Sequence, residues 1–216
     1  MRIGIIGSGM IGSTLGRLWA HAGHEVFFSS RHPEDLRPLA DDIGAQARCG
    51  TPEEAAAFGE AVLLAIPFGA ITDLGPSLTP QLQGKVVLDA GNPIAQRDGA
   101  AARAVEQSAK GSGVFTARHL PGARVVKAFN TVYFQTLAKE AHRSGARIAI
   151  PLAADDGEAL ELAAQLVWDA GFEPVVVGTL EAAARFEPGT AVWNSGMSAP
   201  EIRKALGLAA PERGGS

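Results

Sequence analysis

The chain begins MRIGIIGSGMIG, and no other stretch constrains its fold as tightly. Gly7, Gly9 and Gly12 stand in G-x-G-x-x-G spacing directly after the apolar run Ile3–Ile6. Strand, glycine turn and helix in that order make a phosphate-binding unit. Gly7 permits the tight turn, Gly9 lets backbone come close to a pyrophosphate, and Gly12 lets the following helix lie against the sheet. Gly16, one turn later, extends that close packing. The helix, Met10–Ala22, aims the free N–H groups of its first turn and its positive dipole end at an anion.

The second strand, Glu25–Phe28, decides which dinucleotide fits. An acid at its end would hydrogen-bond the 2′-hydroxyl of NAD and repel the 2′-phosphate of NADP. Here the strand runs into Ser29-Ser30-Arg31. Arg31 offers a planar charged fork, and Ser29 or Ser30 offers a hydroxyl. Ser8, inside the glycine loop, can also face a phosphate. The reading is a site for NADP(H).

Strands and helices alternate along the rest of the chain, which implies a mostly parallel sheet covered on both faces. The fold class is α/β, a Rossmann-type doubly wound sheet with a small C-terminal βαβ-like appendage. Residues 1–134 form the NADP-binding part and residues 135–216 a substrate or dimer part packed on it. Further strands are expected at Gln46–Cys49, Ala61–Ile66, Lys85–Asp89, Arg124–Ala128, Arg147–Leu152 and Glu173–Val177. Helices are expected at Thr51–Phe58, capped by Thr51, around Ala100–Lys110, at Asp156–Ala170 and at Leu180–Phe186. The tail Pro211–Ser216 reads as frayed.

Composition narrows the function. Net charge is −4 without a basic stripe, against nucleic acid as partner. One cysteine, Cys49, excludes a disulfide framework and a cysteine-rich metal site, and fits a reducing cytoplasm. No apolar run is long enough to insert in a membrane, and the glycine-broken N-terminus does not read as a signal peptide.

Ligands of open parallel sheets lie beyond the carboxyl ends of the strands. Three such ends stand out. Ile66-Pro67-Phe68 places Phe68 either over the adenine, along the cofactor groove, or in the core. Asp89-Ala90-Gly91-Asn92 presents Asn92, a partner for the nicotinamide end or a turn residue before proline. Lys127-Ala128-Phe129-Asn130-Thr131 presents Asn130, the candidate nicotinamide-pocket residue. No Tyr-x-x-x-Lys relay, H-E-x-x-H or G-x-S-x-G occurs. His119, before Leu120-Pro121, reads as a surface loop residue. Reduction of a ketone needs a proton donor near its oxygen, whereas hydride exchange between two stacked rings needs only near-attack geometry.

The segments S-S-R-H-P-E, A-I-P-F, D-A-G-N-P, V-V-K-A-F-N-T and L-V-W-D-A-G-F-E-P-V-V-V-G-T-L, with the glycine motif, resemble the NADP-dependent oxidoreductases that reduce the deazaflavin coenzyme F-420 (F420). That family includes the cytoplasmic reductase domain of the six-transmembrane metalloreductases. The resemblance implies direct hydride exchange between NADPH and F420, FMN or FAD as the small-molecule redox acceptor, in a homodimer. Ser8 through Gly12, Met10 and Ile11 among them, match the family's pyrophosphate residues, and Ser30 and Arg31 its 2′-phosphate residues. Phe68 falls where the deazaflavin enzymes carry an aromatic in the groove. Asn130 replaces the histidine of the archaeal enzymes and agrees with the bacterial and metalloreductase-like branch. Two other readings stay open, an imine- or hydroxyacid-type NADPH dehydrogenase and a non-catalytic NADP(H)-binding redox sensor. Replacing Arg31 with alanine is expected to weaken NADPH binding by roughly 1.5–3 kcal/mol, the worth of a charge-assisted hydrogen bond, and to spare NADH; titration of both cofactors checks this, and equal losses would contradict it.

Overall fold

The computed structural model describes residues 1–108 and 110–209. The expected Pro211–Ser216 tail, and Ala109 within the Ala100–Lys110 stretch, lie outside them. In chain order the first half comprises β1 (Arg2–Ile6), α1 (Met10–His21), β2 (Glu25–Ser29), α2 (Arg37–Ile43), β3 (Ala47–Gly50), α3 (Pro52–Phe58), β4 (Ala61–Leu64), α4 (Ile71–Leu82) and β5 (Val86–Asp89). The second half comprises α5 (Ala95–Ser108), α6 (Ser112–His119), β6 (Arg124–Lys127), α7 (Phe134–Glu140), β7 (Ala149–Ala153), α8 (Gly157–Asp169), β8 (Glu173–Gly178) and α9 (Ala199–Ala205). Short 3-10 turns occupy Pro33–Leu36, Phe68–Ala70 and Leu180–Phe186.

All eight strands join one sheet in the order β3-β2-β1-β4-β5-β6-β7-β8. β1 to β6 are parallel, and the direction of winding reverses between β1 and β4. That reversal opens the crevice where doubly wound sheets bind ligands. β7 runs antiparallel to β6, which it meets at Lys127–Ala153, and β8 is parallel to β7. The C-terminal β7-α8-β8 unit therefore packs on the first part by continuing its sheet at the β6 edge, and residue 134 is the start of α7.

Alternation along the strands builds the two faces. Ile3 and Ile5 of β1 join Leu15, Trp19, Phe28 and Leu88 on the α1 side. Ile6 joins Val62, Leu64, Leu78 and Val87 on the α3–α4 side. The indole of Trp19 crosses the core and donates to the Leu166 carbonyl at 2.8 Å, tying α1 to α8. α3 starts with a full capping box: Glu54 N–H donates to the Thr51 hydroxyl, and Thr51 N–H to the Glu54 carboxylate. His24 stands 3.0 Å from Asp169, so it joins the start of β2 to α8. His119 is a correction: it closes α6 instead of lying in a loop, with Nδ1 bonded to the Phe115 carbonyl at 2.9 Å.

Candidate functional site

The glycine turn has almost no steric slack. A Cβ on Gly12 would lie 2.1 Å from the Gly7 carbonyl oxygen, and one on Gly7 would lie 2.7 Å from the Ala65 oxygen, at a φ of +90°. Around Gly9 the reverse holds: a Cβ there would meet nothing within 4 Å. Backbone is thus pressed onto the sheet at Gly7 and Gly12 and left open to a ligand at Gly9. Gly9 is also the N-cap of α1 and supplies no side-chain acceptor, so the first-turn N–H groups are not capped by a side chain. That is an anion site in the sense of helix N-termini.

Beside it runs a groove of about 630 Å³, lined by Gly7, Ser8 and Gly9, by Ser30 and Arg31 after β2, and by Ile66 and Pro67 after β4. The exposed Arg31 forms no ion pair among the described residues. Ser30 Oγ accepts from His32 N–H at 2.8 Å, which leaves its own proton for a ligand. Ser8 Oγ accepts from Ser29 N–H at 3.0 Å and likewise keeps its proton. No carboxylate follows β2 directly, so these residues fit the 2′-phosphate of NADP(H). Ser29 does not contribute as expected. It is the last residue of β2, fully buried, and its hydroxyl donates to the Ile5 carbonyl at 2.7 Å.

A second cavity of about 360 Å³ shares Gly9, Ile66 and Pro67 with the groove and extends along Met10, Ile11, Gly91, Asn92 and Arg97. It lies beyond the ends of β1, β4 and β5, where the nicotinamide half of a dinucleotide reaches. Asn92 lines it, and Asn92 Nδ2 donates to the Asn130 carbonyl at 2.8 Å. Asn130 returns a bond from Nδ2 to Asn92 Oδ1 at 3.2 Å and gives a second to the Phe186 carbonyl at 3.3 Å. Asn130 is buried and lines neither cavity, so it backs the wall through Asn92. Its Oδ1 has no hydrogen-bond partner among the described residues. Phe68 also lies elsewhere than in the groove. The turn after Pro67 sends its ring inward onto Phe115, 5.1 Å between centroids, and it is buried.

Two polar knots beneath this cavity were not assigned from sequence. Asp89 and Lys127 end adjacent strands in register, both side chains essentially without solvent. Lys127 Nζ donates to Asp89 Oδ2 at 3.0 Å and also to the Gly91 carbonyl. Asp89 Oδ1 accepts from Gly91 N–H at 2.8 Å, and Oδ2 from the Thr116 hydroxyl at 2.8 Å. One ion pair therefore clamps both backbone groups of Gly91, next to Asn92. The second knot is Asp98. It accepts from Ile94 N–H at 2.8 Å, from Gly69 N–H at 3.0 Å and from both Nε and Nη of Arg97. Burial pushes its carboxyl up, but the hydrogen bonds from Arg97, Ile94 and Gly69 outweigh burial and hold it below the ordinary carboxylate value. Arg97 then reaches the Asn92 carbonyl at 2.8 Å. A polar residue ending an otherwise apolar strand was the available signal for Asp89 and Lys127.

The model of the family described as "NADP oxidoreductase coenzyme F420-dependent" matches residues 2–93. The F420-dependent NADP reductase of Methanothermobacter thermautotrophicus is 31% identical over 179 residues, covering 77% of this chain and 75% of that protein. The chain belongs to this NADP oxidoreductase family. Metalloreductase STEAP3 of Rattus norvegicus is 27% identical over 186 residues, 86% of this chain but 36% of that protein, so the chain spans about a third of this relative. The solved structure of a hypothetical protein from Sinorhizobium meliloti superposes with a TM-score of 0.78 at 28% identity, over 92% of this chain and 95% of that one. In this structure the glycine turn and Arg31 line the larger groove, and the two polar knots lie behind the wall of the second cavity. Replacing Lys127 with methionine leaves the Asp89 carboxylate buried and unpaired, and is expected to cost about 3–5 kcal/mol of stability. A companion change of Asp89 to asparagine is expected to recover part of that loss in urea unfolding; no recovery would mean that Lys127 matters for its packing and not for its charge.

Proposed function

We propose that the protein transfers a hydride between NADP(H) and a flavin-like acceptor, the deazaflavin F420 or a flavin such as FMN or FAD, working as a cytoplasmic homodimer. The observation that carries this reading is the makeup of the second cavity. Its walls are backbone, aliphatic side chains, an amide and a guanidinium: Met10, Ile11, Ile66, Gly91, Asn92 and Arg97. None of its lining residues is a histidine, tyrosine, lysine, cysteine or carboxylic acid. A carbonyl or imine substrate would find no side chain there able to give up a proton near neutral pH. A redox ring asks only for position and dryness.

Bound NADPH supplies the hydride. The protein's own share is to hold and to screen. Gly9 and the first turn of α1 fix the phosphates, Arg31 and Ser30 take the 2′-phosphate, and Asn92 presents an amide held by Asn130. The Asp89–Lys127 and Asp98–Arg97 knots keep Asn92 from shifting when a ring enters. The family membership and the relative named an F420-dependent NADP reductase support the deazaflavin as one acceptor.

NADPH oxidation should be followed anaerobically with F420, FMN, FAD, a cyclic imine and a 2-oxo acid. Turnover is expected with at least one of the three redox rings and with neither the imine nor the oxo acid. Turnover of the imine or the oxo acid alone would overturn the proposal, and tight NADPH binding with no turnover of any acceptor would favour the redox sensor.

A further inference from the structure

The 630 Å³ groove contains one residue that a phosphate-binding site should avoid. Asp73, in the first turn of α4, lines it together with Pro52, Ile66, Pro67, Ala70 and Leu74. These apolar groups line the same groove as Ser30 and Arg31 and give it the apolar surface that the faces of a planar base would require. Asp73 is exposed and pairs with no Lys, Arg or His among the described residues. Its one side-chain hydrogen bond among the described residues, from the Thr72 hydroxyl, is 3.5 Å long, at the edge of what counts as a bond.

A free carboxylate facing a groove built for a polyanion raises the energy of the complex through like-charge repulsion. It is tolerable there if the ligand brings it a donor. The phosphates bring none, and they are drawn to the glycine turn and to Arg31. On the adenosine side the donors left are the ribose 3′-hydroxyl and the exocyclic amine of the base, and only the amine sits on the flat ring that an apolar wall would flank. An ionised carboxylate only accepts, so it matches that amine and opposes a carbonyl in the same place.

We propose that Asp73 is a specificity-determining residue that reads the amino group of the adenine ring. The apolar wall holds the ring by its faces, and Asp73 selects the base by its edge. Selection of this kind acts by penalty as much as by attraction, since a base with oxygen at that position sets two acceptors against each other. Asp73 is also a first-turn acid of α4, where it favours the helix dipole. That role by itself makes no distinction between bases.

The test is the binding of NADP+ and of its hypoxanthine analogue, in which the amine is replaced by a carbonyl, read by calorimetry on the unmodified protein and on D73N. The unmodified protein is expected to prefer NADP+ by about tenfold or more, as loss of a charge-assisted hydrogen bond implies. In D73N the amide can donate to the carbonyl of hypoxanthine, so the preference should shrink or reverse, chiefly through tighter binding of the analogue. Equal affinities in the unmodified protein would overturn the proposal, whether or not D73N folds. So would a shift in D73N that is the same for both ligands, because that is the signature of a removed negative charge alone. Both readouts are binding, so neither depends on the identity of the acceptor.

Discussion

The contact between the start of α1 and the end of β1 sets the rest of the site. Gly12 lies so close to the Gly7 carbonyl that a single methyl group would collide with it. Gly16 repeats the constraint one turn on, where a Cβ would lie 2.3 Å from the ring of Phe28. Because the helix can sit that low, its N-terminus projects over the crevice between β1 and β4. Uncapped N–H groups are then held at a fixed height above the strand ends, which is what a pyrophosphate requires. Trp19, on the same helix, reaches the Leu166 carbonyl and so passes this placement on to the C-terminal unit.

On the proposed reading the site divides into a half that binds and a half that positions. At the binding end the useful groups are backbone N–H, two hydroxyls with spare protons and the Arg31 guanidinium. At the other end the charged groups are tied to one another beneath the surface. Burying an ion pair such as Asp89–Lys127 rarely adds net stability. Here it fixes the direction of the Gly91 peptide, and with it Asn92. Arg97 and Asn130 hold Asn92 from two further sides. This explains how a cavity without acid–base side chains can still be stiff. Stiffness and exclusion of water are what a direct transfer between rings demands.

Local requirements were legible in the sequence. The glycine spacing, the Thr51 cap and the strand end at Asp89 depend on near neighbours, and each lies where its pattern placed it, whereas β4 stops at Leu64, two residues short of Ile66, and β6 at Lys127, one short of Ala128. Ser29 shows where reading stopped short. It shares a face of β2 with Glu25 and Phe27, and it is buried and bonded to the Ile5 carbonyl because β1 lies beside it, a neighbour that the pattern of β2 alone does not reveal. Phe68 was beyond reach for another reason. Its direction depends on Phe115, far along the chain, and on the turn after Pro67. The Asp89–Lys127 pair needed the knowledge that β5 and β6 are neighbours in register. The appendage became part of the sheet because β7 can pair antiparallel with β6, a choice that strand periodicity does not encode.

The most direct test of this account is a crystal structure of the protein with NADP+. The pyrophosphate is expected on the N–H groups of the Gly9–Ile11 turn, with the 2′-phosphate within hydrogen-bond distance of Ser30 Oγ and Arg31. A complex with the 2′-phosphate in solvent and Arg31 turned away from it would contradict the account.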